Sequence, residues 1–522
     1  MKKTNVYKVG KKKVERVINY IPVRYIFAML ITVLEILAII GVVVALCYFV
    51  PYFYLAVFVT QVCCVVGIAT SDDNPDYKVP WLLFVMILPI AGFMLYFLFY
   101  QRNLNKKFRR RLETLFAKNY EMQDTETFVR LRAEEPVAAT QAKMLCNIAD
   151  ARLFSDTKQE YFPVGEEMWT KLLADLRGAK KFIFMEYFII EEGKFWNSIL
   201  EILKEKAENG VEVKLVYDDI GCMSTLPGNY AKRLKAFGIE ATPFSRLRGS
   251  ADGEFNNRSH RKITVIDGVI AYTGGVNLAD EYINEVKRFG HWKDVGLRLE
   301  GAAVLEMTRL FLIDFGMNVK DSGEWKTEYF PTLESVEKQE GFLVPFGDGP
   351  KPIYKRNVGK SVILNLLSSA TDYVDITTPY LILDNELCSA IENTALRGVR
   401  VRIIVPHIPD KRLVFEATRS FYKRFLEAGV EIYEYTPGFI HAKVYVVDGK
   451  YAMIGTINLD YRSLVHHFEN GVWMYRCACI KDVEKDVEET VQKSEKIERE
   501  TWKVSVPKRI LRSLVRIFAP LL

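Results

Sequence analysis

One short pattern is written twice in this chain, and it limits what the chain can fold into. Residues 260–267 read HRKITVID and residues 441–448 read HAKVYVVD, both His-x-Lys-x4-Asp. In each copy an asparagine follows ten residues after the aspartate, Asn277 and Asn458. The flanking segments repeat too. FIFMEYFII (182–190), SILEILKEKAENG, VEVKLVYDD (211–219), NYAKRLKAFG and IEATPF lead to His260. YVDITTPYLI (373–382), ELCSAIENTALRG, VRVRIIVPH (399–407), FYKRFLEAG and VEIYEYT lead in the same order to His441. Both sets of helical stretches stop at glycines, Gly210 and Gly398, then Gly238 and Gly429, as helix ends favour. Strands alternating with helices predict an α/β fold made of two duplicated halves, 151–330 and 331–495. Matching residues of the halves then meet across a pseudo-two-fold axis. Residues 321–355, weakly periodic and holding several Gly and Pro, read as the connection.

The doubled motif has a definite chemistry. On an extended strand, His and Lys two apart face the same side, so an imidazole and an ammonium share one space. Gly274, Gly275 and Gly455 let backbone approach a ligand closely. Two histidines, two lysines and two asparagines suit a phosphodiester. Ammoniums and amides stabilise the charge on a five-coordinate phosphorus. One neutral imidazole attacks phosphorus and the other, protonated, gives its proton to the leaving alkoxide. The lysines supply the positive charge, so this scheme calls for no metal and no cofactor.

A second region sets where the chemistry happens. Between residues 25 and 100 the only charged side chains are Glu35, Asp72, Asp73, Asp76 and Lys78. Helices are expected at about 26–48, 52–70 and 80–100, with Pro51 and the polar turn SDDNPDYKV between them. Glu35 inside the first reads as a residue packed on a neighbouring helix or snorkelling. The basic tail 1–24 and the start of the linker 102–150 flank this region. Residues 1–24, 101–111 and 502–522 together hold 19 Lys and Arg against one acid, so with a net charge of +6 the rest of the chain carries −12. Basic residues flanking apolar segments suit anionic lipid headgroups, whereas a nucleic-acid binder carries its excess on the folded body. The positive-inside rule puts both basic flanks in the cytoplasm. Three full spans would put them on opposite sides, a conflict that an early segment not fully crossing, or translocation of the N-terminal tail despite its charge, would remove. The catalytic region is expected to be cytoplasmic. At the other end, Ile510, Leu511, Leu514, Val515 and Phe518 share one helical face ringed by Lys508, Arg509, Arg512 and Arg516. Residues 502–522 therefore read as an amphipathic helix lying on the bilayer. The eight cysteines lack zinc-type pairing and read as small apolar side chains in a reducing compartment.

The doubled motif resembles the phospholipase D superfamily over about Phe162 to Lys481. The resemblance narrows to bacterial cardiolipin synthases on NPDYKVPWLLFVMILPIAGFMLYFLFYQRNL, EYFII, YDDIG, GGVNLADEY, HWKDVGLRLEG, ATRSFYKRFLEAGVEIYEYTPGFIHAKVYVVDG and GTINLDYRS. It implies transfer of a phosphatidyl group from one phosphatidylglycerol to another, giving cardiolipin and glycerol in a bacterial plasma membrane. It implies His260 as nucleophile and His441 as general acid, then base. Lys262, Lys443, Asn277 and Asn458 would hold the phosphate oxygens. Asp267 and Asp448 belong to the catalytic motif as structural acids. Asp294 and Glu469 stand where the family has the acids that orient the imidazoles, with crosswise pairing, His260 to Glu469 and His441 to Asp294. Phospholipase D-type hydrolysis and phosphatidylserine synthesis are the alternatives. Whether the second phosphatidyl substrate is phosphatidylglycerol or phosphatidylethanolamine stays open.

Weaker candidates remain. Glu186 and Tyr187 align with Pro379 and Tyr380 at strand ends, where such sheets place ligand contacts. Asp218 and Asp219 align with Pro406 and His407. Arg419 and Ser420 are candidates for a second headgroup. His291, His466 and His467 lack a repeated partner and read as structural, as do Trp292 and Trp473.

Overall fold

The structure is a computed structural model describing residues 23–49, 51–71, 73–99, 106–116, 125–246, 256–319, 324–332, 339–351, 353–500, 502 and 504–518. The basic tail up to residue 22, residues 100–105 and the last four residues lie outside this set. Among the described residues, helices α1 (Val23–Phe49) and α2 (Pro51–Thr70) are the two long enough and apolar enough to cross a membrane, at Met29–Tyr48 and Tyr52–Thr70.

The expected third helix, 80–100, forms differently. It starts earlier and breaks into α3 (Pro75–Ile87) and α4 (Pro89–Phe99). Pro89 has no N–H and disfavours helical backbone at the residue before it, and Leu88 sits at φ −123°, ψ 77°. The chain turns back sharply there. A Cβ on Gly92 would lie 2.2 Å from the Phe84 carbonyl oxygen, so only glycine fits the turn. Thirteen residues span about 20 Å of helix, short of the ~30 Å apolar core of a bilayer. Tyr77, Trp81 and Val85 of α3 pack with Ile68 of α2 in a small buried cluster.

Helices α5 (Lys106–Phe116), α6 (Thr125–Glu134) and α7 (Pro136–Ala149) lead into the first half. That half runs β1 (Thr157–Phe162), α8 (Gly165–Gly178), β2 (Phe182–Tyr187), α9 (Lys194–Glu208), β3 (Glu212–Asp218), α10 (Tyr230–Lys235), β4 (Glu240–Phe244), β5 (Ile263–Ile266), β6 (Ile270–Gly274), β7 (His291–Lys293), β8 (Gly296–Gly301) and α11 (Val304–Asn318). The second runs β9 (Phe342–Asp348), α12 (Val358–Ser369), β10 (Tyr373–Thr377), α13 (Asn385–Leu396), β11 (Arg400–Pro406), α14 (Arg412–Arg419), α15 (Tyr422–Glu427), β12 (Glu431–Tyr435), β13 (Gly438–Ile440), β14 (Val444–Val447), β15 (Tyr451–Gly455), β16 (Glu469–Tyr475), α16 (Ile480–Gln492), β17 (Ser494–Lys496) and α17 (Val506–Phe518). One sheet has the order β1-β8-β6-β5-β2-β3-β4 and the other β9-β16-β15-β14-β10-β11-β12-β17. Apart from β17, the two orders correspond strand for strand. The repeat in the sequence is thus a repeat in topology. Residues 342–348, inside the expected connection, are instead the edge strand equivalent to β1.

The inner faces of the two sheets share one core. Ile263, Val265 and Leu297 from the first meet Val444, Ile454 and Val472 from the second. Helix α11 lies within this core and is buried from Val304 to Met317. Each fully buried Leu, Ile, Phe or Met there contributes about 1.5–3 kcal/mol. A short parallel pair, β7 with β13, also stitches the halves, matching Trp292 with Phe439 and Lys293 with Ile440.

The membrane region is fixed to the second half. Asn74 Nδ2 donates to Asp384 at 2.7 Å, and Asp76 accepts from the Asn385 amide at 2.6 Å, at the N-terminus of α13. The C-terminal helix α17 is amphipathic, but its expected apolar face is divided. Arg512 is buried and donates to Glu416 of α14 at 2.7 Å, and Val515 packs with Ile382, Ala417 and Tyr461. Ile510, Leu511, Leu514 and Ile517 face outward.

Candidate active site

The two motif histidines open onto one site because backbone bonds cross between the halves. His260 lies just before β5, and its N–H donates to the Phe468 carbonyl at 2.8 Å. His441 lies just before β14, and its N–H donates to the Lys293 carbonyl at 2.7 Å. Each bond sets a histidine one residue from the acid of the other half. His260 Nδ1 then meets Glu469 at 2.9 and 3.0 Å, and His441 Nδ1 meets Asp294 at 2.6 Å. All four side chains are buried. Lys262 Nζ donates to the His260 carbonyl at 2.7 Å, and Lys443 Nζ lies 2.9 Å from His441 Nδ1.

The acids differ in length, and the backbone beside them compensates. A Cβ on Gly275 would lie 2.0 Å from Asp294 Oδ1. Thr456, at the matching position, donates its hydroxyl to the longer Glu469. This accounts for Gly274-Gly275 in one copy against Gly455-Thr456 in the other.

The electrostatics of the two pairs are opposed. Burial works to raise Glu469, but the charge and hydrogen bonds of His260, with a further contribution from His467, outweigh it and hold the carboxyl well below its usual range. Burial, with Lys262 adding repulsion, lowers His260 to about 3. The first pair is therefore a carboxylate beside a neutral imidazole. Burial raises Asp294 to about 7 against the pull of Lys443, while burial and then Lys443 push His441 well below its ordinary value. The second pair keeps one proton between its members up to near neutral pH. Burial also lowers Lys262 to about 7 and Lys443 to about 8.

Other motif residues fall elsewhere. Asp267 and Asp448 take no part in the reacting centre. Asp267 accepts from the backbone N–H groups of Lys180, Lys181 and Phe182 at 2.7–2.9 Å. Asp448 does the same for Thr371, Asp372 and Tyr373 at 2.8–2.9 Å. They fix the entry of β2 and β10 beside the motif strands. Asn277 accepts from the Ile189 amide at 3.1 Å and donates to Tyr282 Oη at 2.8 Å, so much of its capacity is spent on the scaffold. Asn458 is buried with its Oδ1 unpartnered.

Of the weaker candidates, Glu186 and Asp218 hold the His260 segment. Ser259 Oγ donates to Glu186 at 2.5 Å, and Arg258 Nε donates to both Asp218 oxygens at 3.0 and 3.1 Å. Arg261, on the other side of His260, pairs with Asp314 at 2.9 Å and donates to the Glu469 carbonyl at 3.0 Å. Sequence reasoning missed Arg258, Arg261 and Asp314. Their counterparts in the second copy are not charged pairs, so comparing the copies gave no signal. Arg419 is tied to buried Glu434, which also takes His407 and Tyr422, and Ser420 Oγ donates to the Ala417 carbonyl. His466 sits against Tyr77, with ring centroids 5.3 Å apart. Around His441 stand Tyr282 and Trp292, each 5.6 Å away by centroid, and around His260 stand Phe188 at 5.1 Å and His467 at 5.5 Å.

A family described as cardiolipin synthase, PLD-like domain, matches residues 172–287 and 363–491, and one described as phospholipase D-nuclease N-terminal matches 56–99. A cardiolipin synthase of Halalkalibacterium halodurans is 32% identical over 489 residues, covering 90% of this chain and 94% of its own. One of Alkalihalophilus pseudofirmus is 32% identical over 475 residues, 88% of this chain and 92% of its own. A Streptococcus mutans protein of uncharacterized function is 40% identical over 453 residues, 85% of this chain and 96% of its own. The crystal structure of a phosphatidylserine synthase from Haemophilus influenzae superposes with a TM-score of 0.54 at 18% identity, over 73% of this chain and 98% of that one, which establishes a shared fold.

Proposed function

We propose, from the premise that the chain belongs to the cardiolipin synthase family of phospholipase D-like proteins, that it transfers a phosphatidyl group from one phosphatidylglycerol to another, releasing glycerol. The observation that carries this is the crosswise pairing of His260 with Glu469 and His441 with Asp294. The opposite electrostatics of the pairs support unequal roles. His260, neutral beside a carboxylate, is the nucleophile, and its Nε2 attacks phosphorus. The proton on the His441–Asp294 pair goes to the departing glycerol oxygen. The same pair then takes the proton of the incoming glycerol hydroxyl, whose oxygen displaces His260 from phosphorus. Lys262 and Lys443 neutralise the phosphate oxygens, with Asn458 beside them. Asn277 supports the site through Ile189 and Tyr282. Asp267 and Asp448 act on the fold.

The membrane arrangement fits a lipid substrate. Two candidate spans, α1 and α2, followed by the returning pair α3–α4 support a topology with residues 1–24 and 101–111 on one side. By their positive charge that side is the cytoplasm, where the catalytic halves then lie. We take the domains as a basic tail, a membrane region to residue 101, a linker to 150, the halves 151–330 and 331–495, and the C-terminal helix.

The test is product analysis. Purified protein in mixed micelles receives labelled phosphatidylglycerol beside a His260→Ala control. Cardiolipin with free glycerol, absent in the control, is the expected result. Phosphatidic acid alone would make water the acceptor and the protein a hydrolase.

A further inference from the structure

His467 has no part in the scheme above. The second copy has it two residues before Glu469, where the first copy has Trp292 two residues before Asp294. A π-helical turn, Arg462–His466, precedes it, and its N–H donates to the Arg462 carbonyl at 2.8 Å. Such turns are frequent at functional sites. The His467 side chain is 9% exposed, and neither ring nitrogen has a hydrogen-bond partner. Nδ1 stands 3.7 Å from Glu469 Oε1, near enough for charge attraction and too far for a hydrogen bond. The ring lies 5.5 Å from that of His260. Buried polar atoms are rarely left unpartnered. Two on one ring, beside the nucleophile, call for a ligand.

Two ligand chemistries compete. One donor atom each from His260, His467 and Glu469 lie within 4.8 Å of one another, a set a divalent transition metal accepts. Against this, Lys262 and Lys443 both interact electrostatically with Glu469. Two ammoniums repel a dication and attract an anion. Glu469 is also already engaged by His260 and Thr456. The anion is favoured.

We propose that His467 is a third phosphate-binding residue of this site. Its ring keeps Nδ1 toward Glu469 and offers an Nε2–H to a non-bridging oxygen of the phosphodiester held by Lys262 and Lys443. This rests on the lipid-transfer reading and adds to it a specific contact on the nucleophile's side. Trp292, its counterpart, offers an aromatic wall on the His441 side instead.

The experiment is calorimetric binding of water-soluble dihexanoyl phosphatidylglycerol to the full-length protein, with inorganic phosphate as a second probe and steady-state kinetics alongside. His467→Ala is expected to weaken binding of the lipid about ten- to hundred-fold, as loss of a charge-assisted hydrogen bond does, with KM rising more than kcat falls. His467→Gln, which keeps an N–H donor, is expected to recover most of the affinity and to control for folding. Unchanged affinity and KM in His467→Ala would overturn the proposal. So would weakened binding of free phosphate with lipid binding intact. Activity lost to a chelator and restored by zinc would overturn it too, by placing a cation among the three donors. A wild-type protein that binds the lipid but forms no cardiolipin would defeat the transfer reading, while the binding series still decided His467.

Discussion

The N–H of His441 donates to the carbonyl oxygen of Lys293 at 2.7 Å, and the next residue is the acid that the His441 ring meets. The His260 N–H repeats this with Phe468 and Glu469. A duplicated fold thereby becomes a single site. The pairing of each imidazole with a distant carboxylate is set by backbone hydrogen bonds rather than by side-chain reach.

An acid that fixes a tautomer is needed in the transition state more than in the ground state. Glu469→Gln and Asp294→Asn are each expected to lower kcat by about 10²- to 10⁴-fold, with KM changed little. Steady-state kinetics on labelled phosphatidylglycerol check this. A change confined to KM would mean that the carboxylates bind lipid rather than orient the rings.

The pH dependence has a definite sign. Burial lowers Lys262 to about 7 and Lys443 to about 8, and raises Asp294 to about 7. Each lysine is a cation only below its pKa, and the Asp294–His441 pair holds its proton only below about 7. Raising the pH therefore removes both phosphate-binding charge and the proton for the leaving group. The value of kcat/KM is expected to fall as pH rises through 7 to 8. Neutral His260, held at about 3, sets no limit between there and neutrality. A profile that climbs through this window would contradict the assignment.

Gly275 and Thr456 should respond unequally. A methyl group on Gly275 comes within 2.0 Å of Asp294 Oδ1, so the acid or its loop must move. Gly275→Ala is expected to cost about 10²-fold in kcat, the usual effect of misplacing a catalytic group by about 1 Å. Thr456→Ala loses one hydrogen bond to Glu469 and is expected to cost about five- to tenfold. Equal effects would mean that the asymmetry of the two copies has no bearing on the acids.

Much of this was legible in the sequence, and what was not has physical reasons. The repeat and the motif could be read because each residue had a counterpart in the other copy, and the partner acids, which differ in type and in distance from their histidines, came from the family resemblance. Arg258, Arg261 and Asp314 had none, and their buried pairs join residues far apart in the chain. His467 was set aside on the same criterion, since its counterpart is a tryptophan. The apolar run 80–100 is long enough to span a bilayer, but Pro89 and Gly92 let it turn back. On α17, hydropathy gave the amphipathic face but not which part of it meets protein. Arg512 reaches Glu416 and thereby turns Val515 inward.

The returning pair α3–α4 makes a topological prediction. Single cysteines at Lys12 and Asn103, in a cysteine-free background, are expected to resist a membrane-impermeant maleimide in intact cells and to react after permeabilisation. Labelling of one position and not the other in intact cells would mean an odd number of crossings.

The central claim is that His260 carries the phosphatidyl group between its two glycerols. The most direct measurement is rapid quenching of the wild-type protein with labelled phosphatidylglycerol under alkaline conditions that preserve phosphoramidates, followed by peptide mapping. The account predicts a phosphatidyl adduct on the peptide containing His260 that decays as cardiolipin forms. An adduct on His441, or turnover with no adduct at any time, would contradict it.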